Sequence, residues 1–477
     1  MKHVPLSVMI AMPTMPAIPA MLVTLVTIVM LTRPAAAQID QTPPAAPDVE
    51  AQVGHTEITT WPHGKDAAVS LTWDDGSVNQ FRAAAPIMDS LGFPATFFIV
   101  TGQIPGSRYD GRFIGRPVED IIEETVSVPT NRSNLFERAS AVGYLGFRGT
   151  QEYHTRTGAL YESGDTLEAY RLIDEAYERV RMGEFPRDDP EQEEDEEGDG
   201  VTWDDIRRLA AKGHEFASHT VTHPRLAVLD EVNLIYELEK SREDILEKLG
   251  PKHTFSFEGP YGTEDERAVA YALERYPATR NRMPEPFLDE LNRWNRRDPV
   301  SDADAEYVQW QRGPLSATPL EEMKSWIDTI AGGDNVWLVL VFHGVDGVGW
   351  EAKPSAELRE YLEYIKSKED RIWVATFKDV TKYMRERMHA EVRMDPELDA
   401  SRDDAEMTVD LRHDLDASLY DFPLTLKTEV PPTWTAVRVT QDGREKRVNA
   451  IGTESGHHIF YDAVPNDGPV TLVRLDD

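Results

Sequence analysis

Six short runs constrain this chain more than any other feature. They are Val69–Thr72, Ala95–Val100, Glu215–Ser218, Thr254–Phe257, Val336–Phe342 and Ile372–Ala375. Between them lie segments with helical spacing, such as Asn79–Leu91, and pairs with capping-box spacing. Those pairs are Thr202 with Asp205, Thr263 with Glu266, and Thr318-Pro319 with Glu321. In such a box the hydroxyl accepts an early helical N–H, and the acid three residues on reaches back. Short buried strands alternating with helices predict an α/β fold: a parallel sheet with covering helices, open or closed into a barrel.

The alternation does not run through the whole of the 477 residues, a length that suits two or three domains. Lys2 is followed by no further charge until Arg33, and Ala35-Ala36-Ala37 offers a small-residue cleavage site. Residues 1–37 therefore read as an export signal, sending the protein to the periplasm or the medium. An uncleaved anchor is the rival, weakened by Pro13, Pro16 and Pro19. Residues 38–60, with "QTPPAAPDVE", read as a linker. Residues 61–390 form the α/β domain, interrupted by an insertion over 106–200 that ends in "RDDPEQEEDEEGDG". That acidic run is expected to be solvated. Over 395–477 the texture turns to period two, with a hairpin signal at "QDGR", and predicts a small β-sandwich.

Composition narrows the chemistry. The formal charge of -35 makes nucleic acid a poor partner, because phosphates are repelled. The absence of cysteine removes disulfides, thiolate metal sites and thiol nucleophiles. In parallel α/β folds the site lies at the carboxyl ends of the strands. There the chain places Asp74-Asp75-Gly76, then His219 and His223, then "EGPYG" over 258–262, then His343. Each alone has a bland reading as turn or packing; their succession at strand ends does not.

The ordered set "TWDDG", "SHTVTH", "GPYG" and "VLVFHG" resembles the polysaccharide deacetylases of the NodB-homology type, carbohydrate esterase family 4. The resemblance implies a distorted (β/α) barrel over roughly Asp66 to Arg387. It also implies a metal-dependent hydrolase that removes acetyl groups from an acetylated glycan. By that likeness Asp74 is the general base, and Asp75, His219 and His223 hold a divalent metal. The Tyr261 N–H is then an oxyanion donor and His343 the general acid. One carboxylate with two imidazoles is a Zn2+-type donor set that leaves positions for water and substrate. Pro260 and Trp350 are expected to line the substrate site. A glycan-binding protein on the same barrel, or a hydrolase of a non-sugar amide, is the alternative.

Two departures stand out. The family's third motif carries arginine where this chain has Glu258, and a carboxylate there is expected to raise the pKa of Asp74. Arg280 or Arg282 is expected to supply the missing cation. The fourth motif, which tunes the acid, has only Trp326-Ile327-Asp328 and the region of Trp310 as candidates. Trp294, Trp310, Trp337 and Trp350 are the tryptophans considered for sugar stacking, with Trp350 preferred. The glycan and the oligomeric state are not specified by these patterns.

Overall fold

The computed structural model describes residues 53–188, 200–263, 265–282, 306–394, 406–453 and 456–475. The expected export signal, most of the linker, most of the acidic run and Trp294 lie outside them.

The strands are β1 (Thr56–Ile58), β2 (Ala67–Trp73), β3 (Thr96–Ile99), β4 (Glu215–Ser218), β5 (Ser256–Phe257), β6 (Ala278–Thr279), β7 (Val308–Arg312), β8 (Val336–Phe342) and β9 (Ile372–Val374). Strands β2 to β8 form one curled parallel sheet in the order β6-β5-β4-β3-β2-β8-β7, and β9 also pairs with β2. β2 is shared along its length: Ala67–Val69 pairs with β9, and Thr72–Trp73 pairs with β3. That fork distorts the barrel.

Burial on both faces explains the continuous apolar runs. All seven residues of β2 and all seven of β8 are buried. Alternate side chains of β8 enter different cores. Leu338, Leu340 and Phe342 join the cluster under the outer helices. Trp337, Val339 and Val341 join a second cluster that continues through the helix Phe377–His389.

Helix starts followed expectation only in part. Thr202 and Asp205 form a complete capping box. Thr263 does not cap the next helix; Asp265 does, accepting from Ala268 N–H. Thr318 instead accepts from Leu315 N–H at 3.0 Å, before a helix that starts at Leu320. The expected helix over Asn79–Leu91 opens with a π turn, Gln80–Ala84, before Ala85–Leu91. Pro86 then falls at the start of the α-helical part, where a missing N–H is tolerated.

The insertion is more ordered than its polar sequence suggests. Its helices Val118–Glu124, Leu135–Val142, Thr150–Glu162 and Thr166–Met182 share a core around Ile121, Leu135, Ile173 and Tyr177. The chain from Glu391 onward builds β10 (Glu391–Met394), β11 (Glu406–Arg412), β12 (Leu424–Val430), β13 (Ala436–Gln441), β14 (Arg444–Asn449), β15 (Ile451–Thr453), β16 (Gly456–Ala463) and β17 (Val470–Arg474). They make two antiparallel sheets, β10-β11-β17-β13-β14 and β1-β12-β16-β15. The "QDGR" turn has positive φ at Asp442 and Gly443, as a tight hairpin requires. The second sheet corrects the linker: Thr56–Ile58, inside 38–60, is a strand paired antiparallel with β12.

Candidate active site

Register brings the polar residues together. Trp73 pairs with Phe342, so Asp74 and His343, the next residue on each strand, are neighbours. Asp74 N–H donates to Phe342 O at 3.0 Å. Ser218 pairs with Phe257, and Phe257 with Thr279, so His219, Glu258 and Arg280 form a second row. Five chemistry-bearing residues thus each sit one step past a strand end.

The candidate metal ligands converge. Asp75 Oδ1 lies 3.6 Å from His219 Nε2 and 3.2 Å from His223 Nε2. Among the described residues this is the one group of three such side chains with ligand atoms all within 4.8 Å of one another. His219 Nδ1–H donates to Glu258 O at 2.9 Å, which directs Nε2 toward Asp75. These donors fit a divalent cation of the Zn2+ type.

The loops that carry them are strained. Six of the nine described non-glycine residues with positive φ follow β2, β4, β5 or β8: Asp75, Thr220, His223, Tyr261, Asp346 and Glu351. Such backbone persists only where its surroundings over-determine it. Around His219–His223 the buried Glu237 does so, accepting Val221 N–H at 2.8 Å, Thr222 N–H at 2.9 Å and Thr222 Oγ1–H at 2.7 Å.

Asp74 is almost completely buried and paired with Arg280 through two parallel bonds, both of 2.7 Å. Arg280 also donates to Thr72 Oγ1 at 3.0 Å and lies 3.2 Å from Glu258 Oε1. The expected rise in the pKa of Asp74 is therefore overturned. Burial alone would push it up, but the Arg280 charge and hydrogen bonds outweigh burial and hold it below its usual range. Glu258 is neutralised by the same guanidinium and also accepts from Asn281 Nδ2. Of the two expected cations, Arg280 is in place. Arg282 presents its main-chain carbonyl to Thr279 Oγ1.

His343 Nε2 is 3.6 Å from Asp74 Oδ2. Burial lowers its pKa more than the Asp74 carboxylate raises it. The Trp350 ring stands nearly perpendicular to the imidazole, 4.6 Å away, and remains 56% exposed. Pro260 is buried, and the Tyr261 ring is 4.7 Å from that of His223.

Other expectations do not reach the site. Asp328 accepts from Tyr364 Oη–H at 2.6 Å and pairs with Lys368, and Trp326 is buried in the helical core. Trp337 is fully buried with its N–H on Ser70 Oγ at 3.0 Å. Trp310 is buried beneath the Arg312 guanidinium. Gln80 was missed: its buried amide donates to Asp74 O, and to His343 O at 2.8 Å, tying both strand tips together. Its signal was a lone amide one helical turn past "DDG".

Comparison with known proteins points to one family. A model of the polysaccharide deacetylase family matches residues 62–128 and 176–277. The chain thus carries a polysaccharide deacetylase domain of the NodB-homology type, carbohydrate esterase family 4. A gellan lyase from Bacillus sp is 27% identical over 286 residues, 56% of this chain and 11% of that protein. The chain therefore spans about a tenth of that relative's length. Among solved structures, the peptidoglycan N-acetylglucosamine deacetylase Bc1960 is 16% identical, with TM-score 0.32 over 69% of this chain and 91% of that one. A family 4 carbohydrate esterase from Bacillus anthracis is 12% identical, with TM-score 0.31 over 69% and 86%.

Proposed function

We propose that this protein is an exported, metal-dependent deacetylase that hydrolyses acetyl groups from an acetylated polysaccharide or oligosaccharide. The observation that carries the reading is the cluster in which Asp75, His219 and His223 converge beside Asp74 and His343. Asp75, His219 and His223 would hold the divalent metal. When bound, that ion would polarise the acyl carbonyl and acidify water.

The remaining work falls to the chain's own side chains. Arg280 keeps Asp74 ionised and fixes both its oxygens, so the carboxylate can accept a proton from the attacking water. The water oxygen bonds to the acyl carbon, and the Tyr261 N–H would stabilise the tetrahedral oxyanion, a contribution of about 3–4 kcal/mol. His343, 3.6 Å from the Asp74 carboxylate, then gives a proton to the leaving nitrogen or oxygen as its bond to the acyl carbon breaks. Acetate and a free amine or hydroxyl result. Trp350, exposed beside His343, offers a face for a sugar ring. Pro260 would help shape the wall beside it.

Acetate release from a panel of acetylated glycans, with chelator and Zn2+ add-back, tests the reading. We expect release that stops with chelator, returns with Zn2+, and falls at least about a thousandfold in Asp74→Asn, within the range of a lost general base plus its ion pair. Chelator-insensitive release, or full activity in Asp74→Asn, would overturn it.

A further inference from the structure

The inserted helix Thr150–Glu162 carries His154, Gly158 and Glu162 at four-residue spacing, and so on one face. All three meet one residue, Arg225, two positions beyond His223. His154 Nδ1–H donates to Ala139 O at 2.8 Å, which leaves Nε2 to accept Arg225 N–H at 3.0 Å. Gly158 lies flat against the arm of Arg225. A Cβ there would fall 2.5 Å from its Cδ and 2.6 Å from its Cβ. Glu162 pairs with the guanidinium through one oxygen and accepts the Thr263 hydroxyl through the other. The guanidinium in turn stands 4.2 Å from the centroid of the Tyr261 ring, which packs on His223.

We infer that this helix face is a positioning device for the active site. It fixes Arg225 against Tyr261, and so locks the loop bearing His223 to the loop bearing the Tyr261 amide. The inference rests on the roles proposed above for His223 and Tyr261. Both residues sit at left-handed φ, 63° and 62°, a conformation that relaxes unless contacts around it hold it. Three contacts from one helix to one arginine, and a fourth to Thr263, provide that hold. Glu162 has a second effect. An unpaired guanidinium this close to the ligand set would oppose a bound cation, and Glu162 cancels its charge.

The test uses the full chain, with Gly158→Ala, Glu162→Ala and a control, Glu152→Gln, on the same helix but paired with Arg156 and not with Arg225. Hydrogen exchange of the metal-free protein is read over Thr222–Leu226 and Gly259–Thr263, and Zn2+ affinity by calorimetry. We expect both loops to exchange at least about tenfold faster in the two variants, together. Zn2+ should bind about 10- to 100-fold more weakly, the usual effect of losing an outer-shell contact, with Glu152→Gln unchanged. Wild-type exchange in both loops, or loosening of only one, would overturn the inference. Should Gly158→Ala unfold, Glu162→Ala decides, because it trims only a partly exposed carboxylate. A wild-type chain that takes up no Zn2+ would remove the metal assignment, while the exchange data would still decide the coupling of the loops.

Discussion

At the scale of single residues, the site turns on how one guanidinium serves two buried acids. Arg280 holds Asp74 with both nitrogens and also neutralises Glu258. Arg280→Lys keeps a charge but loses the planar fork. We expect turnover to fall about 10- to 100-fold, with the fold intact by circular dichroism. Arg280→Met leaves two buried carboxylates without a cation and should cost about 3–5 kcal/mol in urea unfolding. Adding Glu258→Gln to Arg280→Met should recover part of that loss. A double-mutant cycle with no coupling between the two positions would contradict a shared pair.

At the scale of elements, what was legible depended on whether the signal was local. The strand ends could be read because a fully apolar run that stops at Asp74 or His343 carries its own boundary. The capping box at Thr202 could be read because its two halves are three residues apart. Thr202→Ala should destabilise the chain by about 1 kcal/mol in thermal or urea unfolding. By contrast Thr263 and Thr318 had the same spacing and did not cap, because Asp265 lies closer to its helix and Thr318 is used in the turn before it. Arg280 was one of two candidates until the register of β5 on β6 chose between them. The insertion stayed opaque because its helices bury their faces against one another and against the barrel loops, and no one helix shows this alone. Gly158 illustrates the point: a glycine inside a helix reads as a weakness until Arg225 is seen lying across it.

At the scale of the whole molecule, the barrel and the sandwich share an apolar core. One cluster runs from Ala68, Phe98 and Trp337 through Phe377 and Tyr383 to Leu424, Leu426 and Ile459. Within this joint lies Glu386, whose carboxylate accepts Phe422 N–H at 2.9 Å and faces His413 at 3.5 Å. Burial raises its pKa from 4.5 to about 8. The folded chain therefore holds that proton more tightly than the unfolded one. The stabilisation is complete below pH 4.5 and is lost as pH rises toward about 8. Glu386→Gln should flatten the decline in Tm between those values, measured by calorimetry; an unchanged slope would remove Glu386 as its source. The antiparallel seat of β1 on β12 has a consequence for synthesis. Thr56 must wait for Thr428, 372 residues later, before its strand finds a pairing partner, the two hydroxyls then lying 2.8 Å apart. A product cut short before that point is born with a bare strand edge and an uncovered hydrophobic back. Expression of residues 53–394 alone should yield inclusion bodies or proteolytic fragments, not a free-standing barrel.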